Sequence, residues 1–308
     1  MQEKVSIVIT TYGGKQCIER AVQSCLSQTY KNIEIIVVDD NGLDTDAQKV
    51  TEDILKPYIE SHKILYIPHK TNKNASVARN TGVSRSTGDF ISLLDDDDKY
   101  EVKKIEYQLR AFRKLSSDYG IVYCSMRDII DGKIYEYQAS MQGDALYKFL
   151  MMEVSACTSN VMIRKSLYEQ LGGFDETFRR HQDWEFLARA FTVTKVFGIP
   201  YVGTTKYTKN ITKRYSASQA EAFRLYYIDM IKHVITNLSK IQQKNVIAHE
   251  YNEIAKLFLR EKNLSKMFYY IYLSRQPEMF IKDLLKKPYK NLNEKRSFKK
   301  NGKVILIR

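Results

Sequence analysis

Phe90-Ile-Ser-Leu-Leu-Asp-Asp-Asp-Asp98 joins five residues suited to a buried strand to four consecutive carboxylates. A short apolar run of this kind, preceded by Gly88-Asp89, reads as a β-strand, so the acids stand at its C-terminal end. Four like charges in a row repel one another and call for a counter-charge. A divalent cation such as Mg2+ or Mn2+ supplies one, because it takes oxygen ligands and bridges readily to phosphate oxygens. A solvated acidic turn, or a helix start that favours negative charge, accounts for the same residues without any ligand.

The residues on either side give this strand its company. Val5-Ser-Ile-Val-Ile-Thr10 and Ile33-Glu-Ile-Ile-Val-Val38 are further β-branched runs, and Ile64-Leu-Tyr-Ile67 is a third, closed by Pro68. Between them lie helical patterns: Ile18, Ala21, Val22, Cys25 and Leu26 share one face, and 45–60 and Ala75 to Ser86 repeat the theme. Strands alternating with helices over short connections predict a parallel, doubly wound α/β sheet. Ligands of such sheets bind at the strand C-termini. Asp39-Asp40 and Asp95 to Asp98 both occupy such ends.

Past residue 99 a helix carries Ile105, Leu109 and Phe112. Ile121–Cys124 and Ile134–Tyr137 read as strands joined by an Asp131-Gly132 turn. Val161–Ile163 is one more strand, and a helix is expected from Asp183 to Phe191. From about Ser218 the pattern is wholly helical. The expected division is an α/β domain over 1–215, mostly parallel sheet flanked by helices, and a C-terminal helical region over 216–308 that ends in a basic tail.

Composition narrows the class. Of 308 residues, 44% are hydrophobic and 28% charged, enough apolar material for a real core. The four cysteines form no C-x-x-C pair and there are 5 His, so a zinc site of these ligands is not expected. Cys17 and Cys25 fall on an apolar helix face, and reduced thiols in the cytosol are the default. Met1 to Lys4 lead directly into a strand with no signal-like segment, and no stretch approaches the ~20 apolar residues of a membrane span. A cytoplasmic protein, soluble or peripheral on the inner membrane face, is expected. The net charge is +13, and residues 282 to 308 hold ten Lys or Arg against Asp283 and Glu294, which is +8 of that total. Anionic lipid, nucleic acid or an acidic polymer each complement such a tail; simple solvation needs no partner.

Three other segments carry candidate chemistry. A carboxylate of Asp39-Asp40 can accept a hydrogen bond from the imide N–H of uracil, although Asn41-Gly42 also suits a plain Asx turn. Arg79, within Asn74-Ala-Ser-Val-Ala-Arg-Asn80, offers a guanidinium fork to a diphosphate; an ordinary surface arginine is the alternative. Asp183 precedes the only Trp and opens a helix, placing it as a general base toward a sugar hydroxyl or as a helix cap.

Taken in order and spacing, these segments resemble the family 2 glycosyltransferases of GT-A fold over about residues 4 to 215. The likeness rests on Val5–Tyr12, Ser27–Tyr30 with Glu34–Asp40, Ala78–Gly82, Gly88–Asp95, Gly173–Glu176 and Gln182-Asp183. It implies that Thr10, Tyr12 and Asp40 hold the uracil, with Tyr12 against the ring, and that Arg79 lies near the pyrophosphate or sugar. It also implies that Asp95 contacts ribose and donor sugar and that Asp97 ligates Mn2+ or Mg2+. The four-Asp run leaves its register open, so Asp96 or Asp98 can share these tasks. Asp183 becomes the base. Two departures stand out: Gln182 occupies a place commonly held by Glu, and Tyr207 to Arg214 lacks a His found in many members. Lys209, Lys213 or Arg214 is then a substitute partner for diphosphate.

The implied activity is inverting, metal-dependent transfer from a UDP-sugar to a hydroxyl of a glycan, lipid-linked glycan or glycoprotein, in cell-surface polysaccharide or glycan synthesis. No nucleic-acid partner is expected. A sugar-nucleotidyltransferase is one rival, but its Gly-rich, basic triphosphate loop has only a faint counterpart in Thr11-Tyr-Gly-Gly-Lys15. A non-catalytic scaffold working through its lysine-rich end is the other. For the C-terminal helices, membrane docking and homo-oligomer formation are the two expectations.

Overall fold

Val5, Ile7 and Ile9 point to one side of strand β1 (Val5–Thr11) and Val8 to the other, and each joins a different buried cluster. Side chains alternate across a strand, so apolar residues at successive positions require cover on both faces. The computed structural model describes residues 3–13, 16–208 and 216–285 and two short paired strands at 299–300 and 303–304. The cover comes from helices. On one face lie α1 (Cys17–Leu26), α2 (Asp46–Glu60) and α4 (Lys104–Phe112), which contribute Ile18, Val22, Leu55, Ile105 and Leu109. On the other, α3 (Ala75–Ser84), α5 (Leu146–Leu150), α6 (Lys165–Gln170) and α7 (Gln182–Val193) contribute Ala78, Phe149, Leu167 and Phe186.

The sheet also contains β2 (Ile33–Asp39), β3 (Leu65–Pro68), β4 (Phe90–Asp95), β5 (Lys99–Tyr100), β6 (Tyr119–Ile130), β9 (Val161–Arg164) and β10 (Lys195–Thr208). Its order is β3-β2-β1-β4-β9-β6-β10-β5, while β7 (Lys133–Tyr137) and β8 (Gln142–Gly143) pair with β6 and β10. The half formed by β1 to β4 is parallel, and β9 enters antiparallel between β4 and β6. The chain leaves β1 toward β2 on one side and returns through β4 on the other. That reversal opens a crevice at the C-terminal ends of β1 and β4.

Most strands fall where the residues predict. The Asp131-Gly132 turn has positive φ at both positions, 49° and 77°, as a two-residue hairpin of primed type requires. The largest exception is β10, a strand of 14 residues where the sequence predicts none; the two-residue strands β5 and β8 are also unforeseen. Gly198, Pro200 and Gly203 punctuate β10 like a loop. The sheet tolerates them through register shifts between Ile199 and Val202 and between Val202 and Thr204.

Close approach of α3 to β1 depends on Gly82. A Cβ there would lie 2.3 Å from Val8 Cγ1 and 3.2 Å from Val38 Cγ2, both on buried strands. Gly82→Ala gains about 1 kcal/mol of helix propensity and incurs an overpacking cost of about 1–3 kcal/mol. Since Val8 cannot swing away, the steric cost dominates, and a lowered melting temperature is expected. An unchanged melting curve would mean that α3 lifts off the strand without penalty.

The remaining helices are α8 (Ala217–Met230), α9 (Lys232–Ile235), α10 (Lys240–Arg260), α11 (Leu264–Ser274) and α12 (Pro277–Leu285), followed by the pair β11 (Lys299–Lys300) and β12 (Lys303–Val304). Tyr227, Ile231, Val234 and Val246 belong to the same cluster as Phe178 and Phe186, so α8 to α10 pack onto the sheet's helical layer. A separate cluster forms where α10, α11 and α12 meet, around Ile254, Phe258, Met267, Tyr270 and Phe280. The boundary expected near 215 lies outside the described residues, as do Lys209, Lys213, Arg214 and most of the basic tail. Among the described residues no helix is long and apolar enough to cross a membrane.

Candidate active site

The crevice at the strand ends is a cleft of about 420 Å³ lined by Thr10, Tyr12, Asp40, Arg79, Asp95, Asp96 and Asp97, together with Asn72, Asn74, Arg179 and Gln182. Seven positions singled out in the sequence therefore meet in one place. Asp183, the eighth, is not among the lining residues but follows Gln182 directly.

The four acids that begin with the last residue of β4 turn tightly, with the Asp98 N–H donating to the Asp95 carbonyl at 3.1 Å, and they meet different partners. Asp95 accepts from Arg79 Nη2 at 2.8 Å. Asp96 accepts from Thr11 Oγ1 at 2.7 Å and tethers the end of β1. The Asp97 carbonyl accepts from Arg20 Nη2 at 2.5 Å. Asp98 is buried, accepting from Ser159 Oγ at 2.6 Å, with Lys206 Nζ at 3.4 Å. Burial pushes its carboxyl up to about 7, against the pull of the Lys206 ammonium. Burial alone would lower Lys206, but Cys157 and the carboxylates of Asp98, Asp95 and Asp183 outweigh it and hold it well above the ordinary lysine value. Mutual repulsion of the four acids is thus relieved in part by Arg79 and Lys206, and repulsion alone does not demand a metal ion. Asp98 is not among the residues that line the cleft, whereas Asp95, Asp96 and Asp97 are.

Asp40 differs from the expected free acceptor for a base. Its Oδ1 takes His69 Nδ1 at 2.7 Å and the Lys73 N–H at 2.8 Å. Its Oδ2 takes Asn72 Nδ2 at 2.9 Å and the Asn74 N–H at 2.8 Å. All four lone-pair positions are engaged, and the carboxylate holds the loop before α3. That loop includes Asn74 at φ 104°, a backbone state uncommon for any residue but glycine. Asn74 then caps α3 by accepting from the Ser76 and Val77 N–H groups. The start of α3, with Ala75 and Ala78, forms one wall of the cleft. Tyr12, 60% exposed, stands at its rim.

Arg79 is the most telling side chain. It is 7% exposed, its Nη2 is engaged by Asp95, and its Nε and Nη1 make no hydrogen bond. Burying an unsatisfied guanidinium is costly, and an anion in the cleft removes the cost. Its neighbour Asn80 ties α3 to the Gly172-Gly-Phe-Asp-Glu176 segment, donating to the Phe174 carbonyl at 2.9 Å and accepting from the Phe174 N–H at 2.9 Å. A Cβ on Gly173, whose φ is 75°, would lie 2.6 Å from Asn80 Oδ1. Two motifs whose paired residues are 94 positions apart in sequence are locked together here.

From that segment the chain reaches α7. The residue capping α7 is His181, with left-handed φ of 60° and its ring stacked 4.3 Å from Trp184. Burial, with Arg224 and Arg180 nearby, holds the His181 imidazole down at about 3. Asp183 is therefore no helix cap. It lies in the first turn, its Oδ1 accepting from the Trp184 N–H at 3.0 Å. Burial raises its carboxyl above the ordinary aspartate range, while Arg79 and Lys206 pull the other way.

Several site residues escape sequence reasoning. Lys206 lies on β10, the strand that was not expected. Arg20 stacks on Tyr207 at 3.9 Å while donating to the Asp97 carbonyl. Arg179, one of two consecutive arginines, adds a second guanidinium to the cleft wall. Only the Arg179-Arg180 pair left a trace in the residues, and charge pairs on loops are common.

Comparisons with known proteins bear on this geometry. A sequence model described as glycosyl transferase family 2 matches residues 6–172. An uncharacterized glycosyltransferase of Rickettsia prowazekii is 33% identical over 202 residues, covering 63% of this chain and 60% of the relative. The chain thus spans less than two thirds of that relative's length. The amylovoran biosynthesis glycosyltransferase AmsB of Erwinia amylovora is 26% identical over 247 residues, 75% of this chain and 78% of the relative. Among solved structures, residues 1–349 of S. aureus TarS in complex with UDP-GlcNAc superpose with TM-score 0.61 at 15% identity, covering 89% of this chain and 92% of that one. The mannosyltransferase PcManGT of Pyrobaculum calidifontis, in complex with GDP-Man and Mn2+, gives 0.60 at 14%, covering 92% and 79%.

Proposed function

The chain belongs to glycosyl transferase family 2, and from that premise we propose that it transfers a sugar from a nucleotide diphosphate donor, UDP-sugar first among them, to a hydroxyl of a glycan, lipid-linked glycan or glycoprotein. The observation that carries the reading is the buried Arg79 fork with two unengaged nitrogens beside three cleft carboxylates. A diphosphate suits that fork, and the N-terminus of α3 next to it favours the same charge. The name of the Erwinia relative supports a role in polysaccharide synthesis.

In this reading Thr10 and Tyr12 receive the base, with Tyr12 as its platform and Asp40 shaping the wall through loop 72–74. Arg79 binds the diphosphate, with Arg179 as a second cation at the wall. Asp95 orients the donor's ribose and sugar. The cleft offers oxygen donors of a kind that fits a hard divalent ion, and Asp97, with Asp95 or Asp96, would hold Mn2+ or Mg2+. Such an ion, when bound, supplies positive charge beside the departing diphosphate.

Asp183 takes the proton of the acceptor hydroxyl as that oxygen bonds to the anomeric carbon. The bond from that carbon to the diphosphate oxygen breaks, and the electron pair leaves with the nucleotide. Attack from the face opposite the diphosphate inverts the configuration. No covalent enzyme intermediate is needed.

The raised carboxyl of Asp183 makes it a better base and fixes the sign of the pH dependence. Transfer falls as pH drops through its raised pKa, because the protonated acid cannot accept a proton. A kcat/KM profile between pH 4 and 9, with circular dichroism to follow folding, is expected to show an acid limb above the ordinary aspartate value of about 3.9. A limb at or below that value would remove burial from the account.

The test of the function is a panel of nucleotide sugars screened by thermal shift, with and without Mn2+, followed by an assay for nucleotide release. Stabilisation by a nucleotide diphosphate sugar is expected, since a ligand of the native state raises stability by mass action. Pyrophosphate release from a nucleoside triphosphate would instead favour a nucleotidyltransferase. No shift with any nucleotide would leave only a scaffold.

A further inference from the structure

We infer that His249 and Glu253 of α10 and Asp283 of α12 form a binding site for one zinc-type divalent ion, which ties the two helices together. None of the three lines the cleft. His249 and Glu253 are four apart on one helix, so their side chains lie one above the other on the same face. Asp283 comes from the neighbouring helix. One nitrogen of His249 and one carboxylate oxygen each of Glu253 and Asp283 lie within 4.8 Å of one another. Zinc–ligand bonds of about 2.0–2.2 Å place the ligand atoms of one ion up to about 4 Å apart, so closure by about an ångström or less completes the set.

The histidine distinguishes this group from an ordinary acidic patch. His249 is 7% exposed, and its Nε2 has no hydrogen-bond partner. Its Nδ1 stands 3.9 Å from Asp283 Oδ2, beyond hydrogen-bond reach. The ring is thus packed inside the protein beside two carboxylates without bonding to either, and a buried polar group left in that state costs free energy. An ion between the ring and the carboxylates supplies the missing bond. One nitrogen with two carboxylate oxygens suits zinc, which takes four ligands and accepts water as the fourth. Calcium and magnesium favour oxygen ligands.

Lys256 is the competing occupant. Its ammonium contacts Glu253 and lies 3.8 Å from Asp283 Oδ2, while Arg224 Nη2 lies 3.7 Å from Glu253 Oε2. An ion-pair network of this kind holds the carboxylates but gives His249 no part. Arg224 has a closer partner in Glu250 at 2.6 Å. Lys256, 20% exposed at its side chain, can withdraw its charged head into solvent. The two carboxylates then balance the charge of a divalent ion.

Helix α12 is where such an ion has most to add. It spans nine residues, of which Phe280 is the buried apolar anchor. A helix so short depends on tertiary contacts, since isolated helices below about 12–15 residues are marginal in water. Asp283 follows Phe280 by three positions and so shares its face. A metal bond there fixes the last turn of α12 as Phe280 fixes the middle.

Such a site is independent of the proposed activity, and its test keeps the two apart. Zinc uptake by the full chain is counted by equilibrium dialysis in an Asp97→Ala background, which removes the proposed ligand of the cleft. The same protein carrying His249→Ala serves as the comparison, with circular dichroism to follow folding. One equivalent of Zn2+ more is expected in the protein that keeps His249, together with a melting temperature that Zn2+ raises through that residue. Lys256→Gln separates a metal site from an ion-pair network. Without the competing ammonium, Zn2+ is expected to bind about tenfold more tightly or better. Equal zinc content with and without His249 would overturn the site, and so would a Lys256→Gln protein that loses thermal stability and gains no affinity. Should His249→Ala unfold, Asp283→Asn, which keeps the side chain's shape, takes its place and is expected to weaken zinc binding about tenfold or more.

Discussion

Asp183→Asn is expected to lower kcat for sugar transfer by a factor on the order of 10²–10⁴ while leaving nucleotide-sugar binding close to that of the parent. The substitution keeps shape and replaces a proton acceptor by an amide that cannot take a proton at neutral pH. The Trp184 N–H still finds an oxygen at the same position, so the first turn of α7 is preserved. Asp183 neighbours the cleft through Gln182 without lining it, so donor affinity has little reason to change. The decisive comparison is KM or Kd for the donor against kcat. A loss confined to kcat assigns Asp183 to the chemical step. A parallel collapse of donor binding or of thermal stability would make it a structural residue.

Asp97→Ala is expected to reduce transfer at least a hundredfold at any Mn2+ concentration, since several kcal/mol of charge stabilisation at the leaving diphosphate is removed. Each of the four acids has a place in the structure. Asp95 holds Arg79, Asp96 tethers Thr11, and Asp98 is buried on Ser159 and beside Lys206. The hydrogen bond from Arg20 reaches the Asp97 backbone carbonyl, which the substitution leaves in place. Mn2+-dependent nucleotide stabilisation is expected to disappear, and circular dichroism of the ligand-free variant separates that loss from unfolding. Retained metal-assisted binding in this variant would shift the ligand role to Asp95 or Asp96.

The parallel half of the sheet was legible because its strands are covered on both faces and read as largely apolar runs: Val5–Thr10, Ile33–Val38 and Phe90–Leu94. The acids at their ends followed from position alone. What stayed hidden depended on partners distant in sequence. Asp40 looked available to a base because nothing in Asp39-Asp-Asn-Gly42 announces that His69, Asn72 and two backbone N–H groups converge on it. The four-Asp run called for a counter-charge and gave no sign of the two that the chain supplies, since Arg79 and Lys206 are 16 and more than 100 residues away along the chain. Lys206 was doubly concealed, being on a strand whose Gly198, Pro200 and Gly203 read as a loop. For Asp183 the capping alternative turned on one residue's placement: His181 takes the capping position, which residue preferences alone would have given to the aspartate.

The central claim is that Arg79 and the acids at the end of β4 together receive the diphosphate of a nucleotide sugar. Isothermal titration of UDP into the protein, with and without Mn2+, and into Arg79→Ala, tests it most directly. The account predicts uptake that Mn2+ strengthens and that the arginine substitution weakens by about tenfold or more. Equal affinity in the two proteins, or uptake indifferent to the ion, would contradict it.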